Sequence, residues 1–130
     1  MSTPPERLTT AQIQEITRAL EPFAPAAIYL FGSYGTASQH PSSDLDLAFL
    51  PSLPFDPVQI FQIANHLSGS LGFEVDLIDL NRASTVFRKE VIRTGAPIQI
   101  GDPMLRHQFE MYALSDYARL NEERREMITK

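Results

Sequence analysis

The chain has 130 residues, a formal net charge of -5 at pH 7 and no cysteine. That length suits one compact domain with a two-layer core and leaves no room for two. The missing cysteines exclude disulfides, thiolate zinc sites and cysteine nucleophiles, and the negative charge opposes direct DNA binding, which needs clustered Lys and Arg on phosphates.

Residues 1–9, with two prolines and little apolar content, read as a flexible lead-in. From Thr10, taken as an N-cap, Ile13, Ile16 and Leu20 fall on one helical stripe that must face the core. "AAIYLF" at 26–31 reads as a buried strand that stops in a turn at Gly32, and "DLDLAFL" at 44–50 as a second strand ended by Pro51 and Pro54. Asp56-Pro57 opens a helix whose amphipathic set is Val58, Ile60, Phe61, Ala64 and Leu67. "FEVDLIDL" at 73–80 reads as a third strand, and Ser84 caps a helix that runs to Thr94 and is closed by Gly95. "PIQI" is a short strand, and residues 103–128 form the last helix. The expectation is an α/β (α+β) fold: one domain over 1–130, with a small mixed β-sheet of about four strands covered by helices on one side. No signal segment opens the chain and no apolar run approaches the roughly 20 residues that span a bilayer, so the cytoplasm is the expected location and no membrane partner is expected.

The chemistry gathers in "FGSYGTASQHPSSDLDLAFL" at 31–50. On a strand, Asp44 and Asp46 leave one face while Leu45 and Leu47 enter the other. Two such carboxylates repel unless a cation lies between them, and Mg²⁺ suits them as a hard, oxygen-seeking ion that completes its shell with water and phosphates. Asp76 is central in another apolar strand; if that strand lies beside the first, three carboxylates converge and can hold two ions. Gly32 lets backbone approach a ligand closely, and Ser33 adds hydroxyl and amide donors for phosphates. These parts describe phosphoryl or nucleotidyl transfer, in which positioning and charge stabilisation dominate. Asp79 falls on the other strand parity near the strand end and reads as a turn or helix-entry residue. Among Arg82, Arg88, Lys89 and Arg93, Arg82 is the first candidate for a phosphate contact, and His40, His66 and His107 match no metal-ligand spacing.

Gly32-Ser33, then Asp44-Leu45-Asp46, then Asp76 on a later strand resembles the nucleotidyltransferase superfamily typified by DNA polymerase beta. The short length and the run "VDLIDLNRAS...VIRTG" are similar to its minimal nucleotidyltransferases (MNT), in particular the MntA-type antitoxins of HEPN/MNT toxin-antitoxin pairs. The resemblance spans about residues 26 to 102. It implies a polymerase-beta-like fold and AMP transfer from ATP to a hydroxyl, a tyrosine, of a HEPN-domain ribonuclease toxin, with which the chain forms a hetero-oligomer. It also implies that Asp44, Asp46 and Asp76 hold Mg²⁺ and form the catalytic set, and that Gly32 and Ser33 bind phosphates. Many relatives carry a basic residue after the Gly-Ser pair, where this chain has Tyr34. Two other readings stay open: an antitoxin that neutralises by contact alone, and a nucleotidyltransferase acting on a small molecule, which the short stretch after Pro97 disfavours. The last helix carries Met104, Leu105, Phe109, Tyr112, Leu114 and Tyr117; part of that set must cover the sheet and the remainder is a candidate docking surface.

Overall fold

A computed structural model describes residues 8–31 and 45–129. In chain order these form α1 (Thr10–Ala19), a 3₁₀ turn (Glu21–Phe23), β1 (Pro25–Leu30), β2 (Leu45–Pro51), α2 (Val58–Leu71), β3 (Val75–Asp79), α3 (Thr85–Thr94), β4 (Ala96–Ile100) and α4 (Pro103–Thr129). The four strands make one sheet in the order β3-β2-β1-β4. β1 is antiparallel to both β2 and β4, whereas β2 and β3 are parallel. A parallel pair needs a long crossover, and α2 supplies it.

Local chemistry starts each helix. Thr9, not Thr10, is the first cap: its Oγ1 accepts from the Gln12 N–H at 3.1 Å while Gln12 Oε1 accepts from the Thr9 N–H at 2.8 Å, a reciprocal box that only residue 9 can close. Asp56 Oδ1 accepts from the Val58 N–H at 3.0 Å, and Ser84 Oγ from the Phe87 N–H at 3.1 Å. Gly72 ends α2 in the left-handed region, φ 85°, which suits a residue without Cβ.

Helices cover both faces of the sheet, a correction to the one-sided cover expected from element order. On one face Ile28 and Leu30 of β1, Leu45, Leu47 and Phe49 of β2, and Val75 and Leu77 of β3 pack with Ile16 and Leu20 of the first helical segment and Leu67 of α2. Phe49 stacks on Phe23 with ring centroids 4.8 Å apart. On the other face Tyr29, Ala48 and Leu50 pack under Val91 of α3, with Phe87, Leu105 and Phe109 around them. Strand alternation makes this unavoidable, because both parities of β1 and β2 are apolar and both must be covered. In α2 the core-facing stripe is Ile60, Ile63, Ala64 and Leu71, half-buried around the fully buried Leu67, while Val58 and Phe61 are exposed, so the expected amphipathic set is corrected at those two positions. Among the described residues no helix is long and apolar enough to cross a membrane.

α4 is fastened to the sheet by a polar network that sequence reading missed. The Tyr29 hydroxyl donates to Glu110 Oε2 at 2.7 Å, and Arg106 Nε donates to the same carboxylate at 3.0 Å and to the Tyr29 oxygen at 3.2 Å. Burial, reinforced by the hydrogen bond to Glu110, pushes the Tyr29 hydroxyl up from 10.0 to about 12. The folded chain therefore holds this proton more tightly than the unfolded one. Its contribution is complete below pH 10 and is lost as pH rises through about 12. Urea unfolding between pH 9 and 12 should show wild type losing stability more steeply than Tyr29→Phe. Parallel curves would refute the assignment.

Candidate active site

Asp46 is the second residue of the central strand β2, every residue of which is buried, Asp46 included at 6 % exposure. The parallel register places Asp46 directly opposite Asp76, with Leu45 opposite Val75 and Leu47 opposite Leu77. Neighbouring strands lie about 4.8 Å apart, and side chains at paired positions leave the same face, so the two carboxylates stand side by side. Asp46 is enclosed, whereas Asp76 faces solvent. The condition for the expected convergence, that the two strands be neighbours, is met.

The end of β1 reaches the same place. The Phe31 N–H donates to the Asp46 carbonyl at 3.1 Å, and Phe31 is the residue before Gly32. Its ring meets Phe87 of α3 edge-on, centroids 5.1 Å apart, which fixes where β1 releases the chain. Gly32, Ser33, Asp44, Tyr34 and His40 lie outside the described residues. Among the described residues no cluster of three metal-ligating side chains occurs. Asp46 and Asp76 nonetheless fit a hard cation: two carboxylates on one face of adjacent strands, one buried and one open to water, with Asp44 two residues before Asp46 in sequence.

Arg82 is not brought to this end. β2 and β3 run the same way, so the chain leaves β3 beside Pro51, about 16 Å along the strands from Asp46 at about 3.3 Å per residue. Arg82 there lines a hollow of about 490 Å³ with Pro51, Leu53, Phe55, Asp79 and Asn81. The other basic residues of the region have structural partners. Arg88 donates to the carbonyls of Leu80 at 2.8 Å and Asn81 at 2.7 Å, Arg93 pairs with Glu90, and Lys89 lies 4.7 Å over the Tyr117 ring. Asp79 is buried and turns the chain: its Oδ1 accepts from the Asn81 N–H at 2.9 Å. His66 and His107 are exposed on their helices.

A small mixed sheet with paired acids on its adjacent parallel strands fits a nucleotidyltransferase. The family described as Polymerase beta, Nucleotidyltransferase matches residues 12–103, and the chain belongs to it. The chain is 37 % identical over 101 residues, 78 % of its length and 72 % of the relative's, to the protein adenylyltransferase MntA of Shewanella oneidensis. Its fold is similar to a solved complex of tri-AMPylated Shewanella oneidensis HEPN toxin with MNT antitoxin, at TM-score 0.74 and 29 % identity, covering 94 % of this chain and 97 % of that one. A toxin-antitoxin structure with AMP-PNP matches at TM-score 0.72 and 34 % identity, covering 90 % and 95 %.

The two acids of β3 separate on this geometry into one that holds the fold and one that does not. Asp79→Ala should cost about 1 kcal/mol in urea unfolding, the worth of its turn hydrogen bond. Asp76→Ala, on an exposed strand position, should change stability by less than about 0.5 kcal/mol. Equal losses at both positions would contradict the distinction.

Proposed function

We propose that this chain is a protein adenylyltransferase, a single nucleotidyltransferase domain that moves AMP from ATP to a tyrosine hydroxyl of a HEPN-domain ribonuclease toxin and acts as its antitoxin in the cytoplasm. The observation that carries the chemistry is the side-by-side register of Asp46 and Asp76 at the strand end where Phe31, the residue before Gly32 in sequence, is tied to the Asp46 carbonyl. What supports the acceptor and the donor is the similarity to MntA, to the tri-AMPylated toxin complex and to the AMP-PNP complex.

Asp44, Asp46 and Asp76 would hold Mg²⁺, in a two-ion arrangement suited to three carboxylates. Bound there, magnesium would neutralise triphosphate charge and draw electron density from the α-phosphate. Asp46, enclosed in β2, gives the site a carboxylate shielded from bulk water. Gly32 leaves room for phosphate against backbone, and Ser33 donates to phosphate oxygens through its hydroxyl and amide. Asp76, the exposed acid, faces the acceptor: its carboxylate orients the tyrosine hydroxyl and takes its proton. The hydroxyl oxygen bonds the α-phosphorus, the bond to the bridging oxygen breaks, and pyrophosphate leaves. Arg82, at the other end of the strands, has no part in this site.

The test is intact mass of a co-expressed HEPN-domain partner after incubation with this chain, ATP and Mg²⁺. Mass should rise in steps of one AMP, and Asp46→Asn or Asp76→Asn should slow the gain by about 100-fold or more, the scale of losing a charge-stabilising group at the reacting phosphate. A partner neutralised without any mass gain would replace the transferase with an antitoxin acting by contact.

A further inference from the structure

We propose that the outward face of α4, with the groove beside it, is the surface that holds the toxin, separate from the acids that modify it; this rests on the antitoxin reading above. The family match stops at residue 103, where α4 begins. The fold shared with the toxin-antitoxin chain nevertheless covers 94 % of this chain, so most of α4 lies inside it. α4 is thus extra to the common transfer machinery and present in the relative that keeps a toxin bound.

Its surface is that of an interface. Of the ten exposed large apolar side chains among the described residues, five belong to α4: Met104, Met111, Tyr112, Leu114 and Met127. Met104 and Met111 project from the side opposite Leu105, Phe109 and Ala113, which pack on the body, and the exposed Tyr112 stands at the edge between the two sides. Met and Tyr, with Arg, are the types enriched where proteins meet. Beside Tyr112 a groove of about 430 Å³ runs between α4 and the end of β2, floored by Leu50 and Phe109 and walled by Arg88. Arg88 is fixed by its two carbonyl hydrogen bonds, so that wall is ordered before any partner arrives and little freedom is lost on binding. α4 also outruns the sheet. Its 27 residues span about 40 Å at about 1.5 Å each, twice a strand's length, and every residue from Glu122 to Met127 is exposed. A projecting helical end of that length is marginal alone and gains stability against a partner.

Location selects the occupant. The groove lies at the Pro51 end of β2 and the acids at the Leu45 end, so a protein seated on α4 leaves the acids open to its acceptor hydroxyl. A toxin carrying three AMP groups and still in complex with its antitoxin needs such a division, because the hold must outlast each transfer.

The experiment measures binding of the co-expressed HEPN partner to the full chain by titration calorimetry, with AMP-PNP binding and thermal melting as controls. Met111→Glu/Tyr112→Ala, both exposed positions, should weaken toxin binding at least 100-fold while AMP-PNP affinity and melting stay at wild-type values. Phe61→Glu, an equally exposed site on α2, should leave toxin binding unchanged, and Asp46→Asn should bind toxin yet fail to transfer AMP. Wild-type toxin affinity in the double variant overturns the docking surface alone. Equal weakening by Phe61→Glu overturns it too, as does a wild-type dimer that the double variant turns into monomer, which makes a second copy the occupant. No toxin binding by wild type overturns both this proposal and the antitoxin reading.

Discussion

The parallel pairing of β2 with β3 is the constraint on which the rest of the structure depends. It buries β2 in the middle of the sheet with apolar cover on both faces, and it enforces a register that sets Asp46 against Asp76. A slip of one residue would send each acid to the opposite face, where Leu45, Leu47 and Leu77 pack with α2, and would put their leucine neighbours in the site. The hydrophobic pattern that holds the register and the acid pair that uses it are therefore one feature. α2 completes it as the crossover that lets two parallel strands be neighbours.

From that pairing the sheet acquires two unlike ends. At the start of β2 the acids meet the exit of β1, where the Phe31 N–H is tied to the Asp46 carbonyl and the Phe31 ring is wedged against Phe87. At the other end the strands release Pro51 and Asp79, and the basic residues that follow are drawn into structure: Arg88 caps carbonyls and Arg82 lines a hollow. α4 crosses the second face, fixed by Leu105 and Phe109 and by the Tyr29, Arg106 and Glu110 network, with its outer side left open.

Much of this was legible in the chain because local physics writes it there. The period-2 alternation around Asp46 and Asp76 marks strands with acids on one face; Asp56, Ser84 and Gly95 mark helix ends by the hydrogen bonds such residues make or allow. Asp79 was readable as a turn residue because its parity differs from that of Asp76. What misled was proximity in sequence. Arg82 follows Asp76 by six residues and looked available to a shared ligand, yet a parallel strand carries the chain away from the acid as it advances. Phe61 looked like core because a helical stripe admits it at its margin, and only the position of the sheet shows that the buried set centres on Ile60, Ile63 and Leu67.

The sequence by itself determined the local states: which segments are strands, where helices start, which residues carry charge, and the motif that marks the superfamily. Tertiary structure decided which strands are neighbours, that both sheet faces are covered, and that Tyr29, invisible within an apolar run, meets Arg106 and Glu110 some eighty residues later. The physical reason is range. Propensity, capping and alternation act over a few residues, whereas strand order, register and the burial of a hydroxyl depend on surfaces that come together only when the whole sheet closes around its two cores.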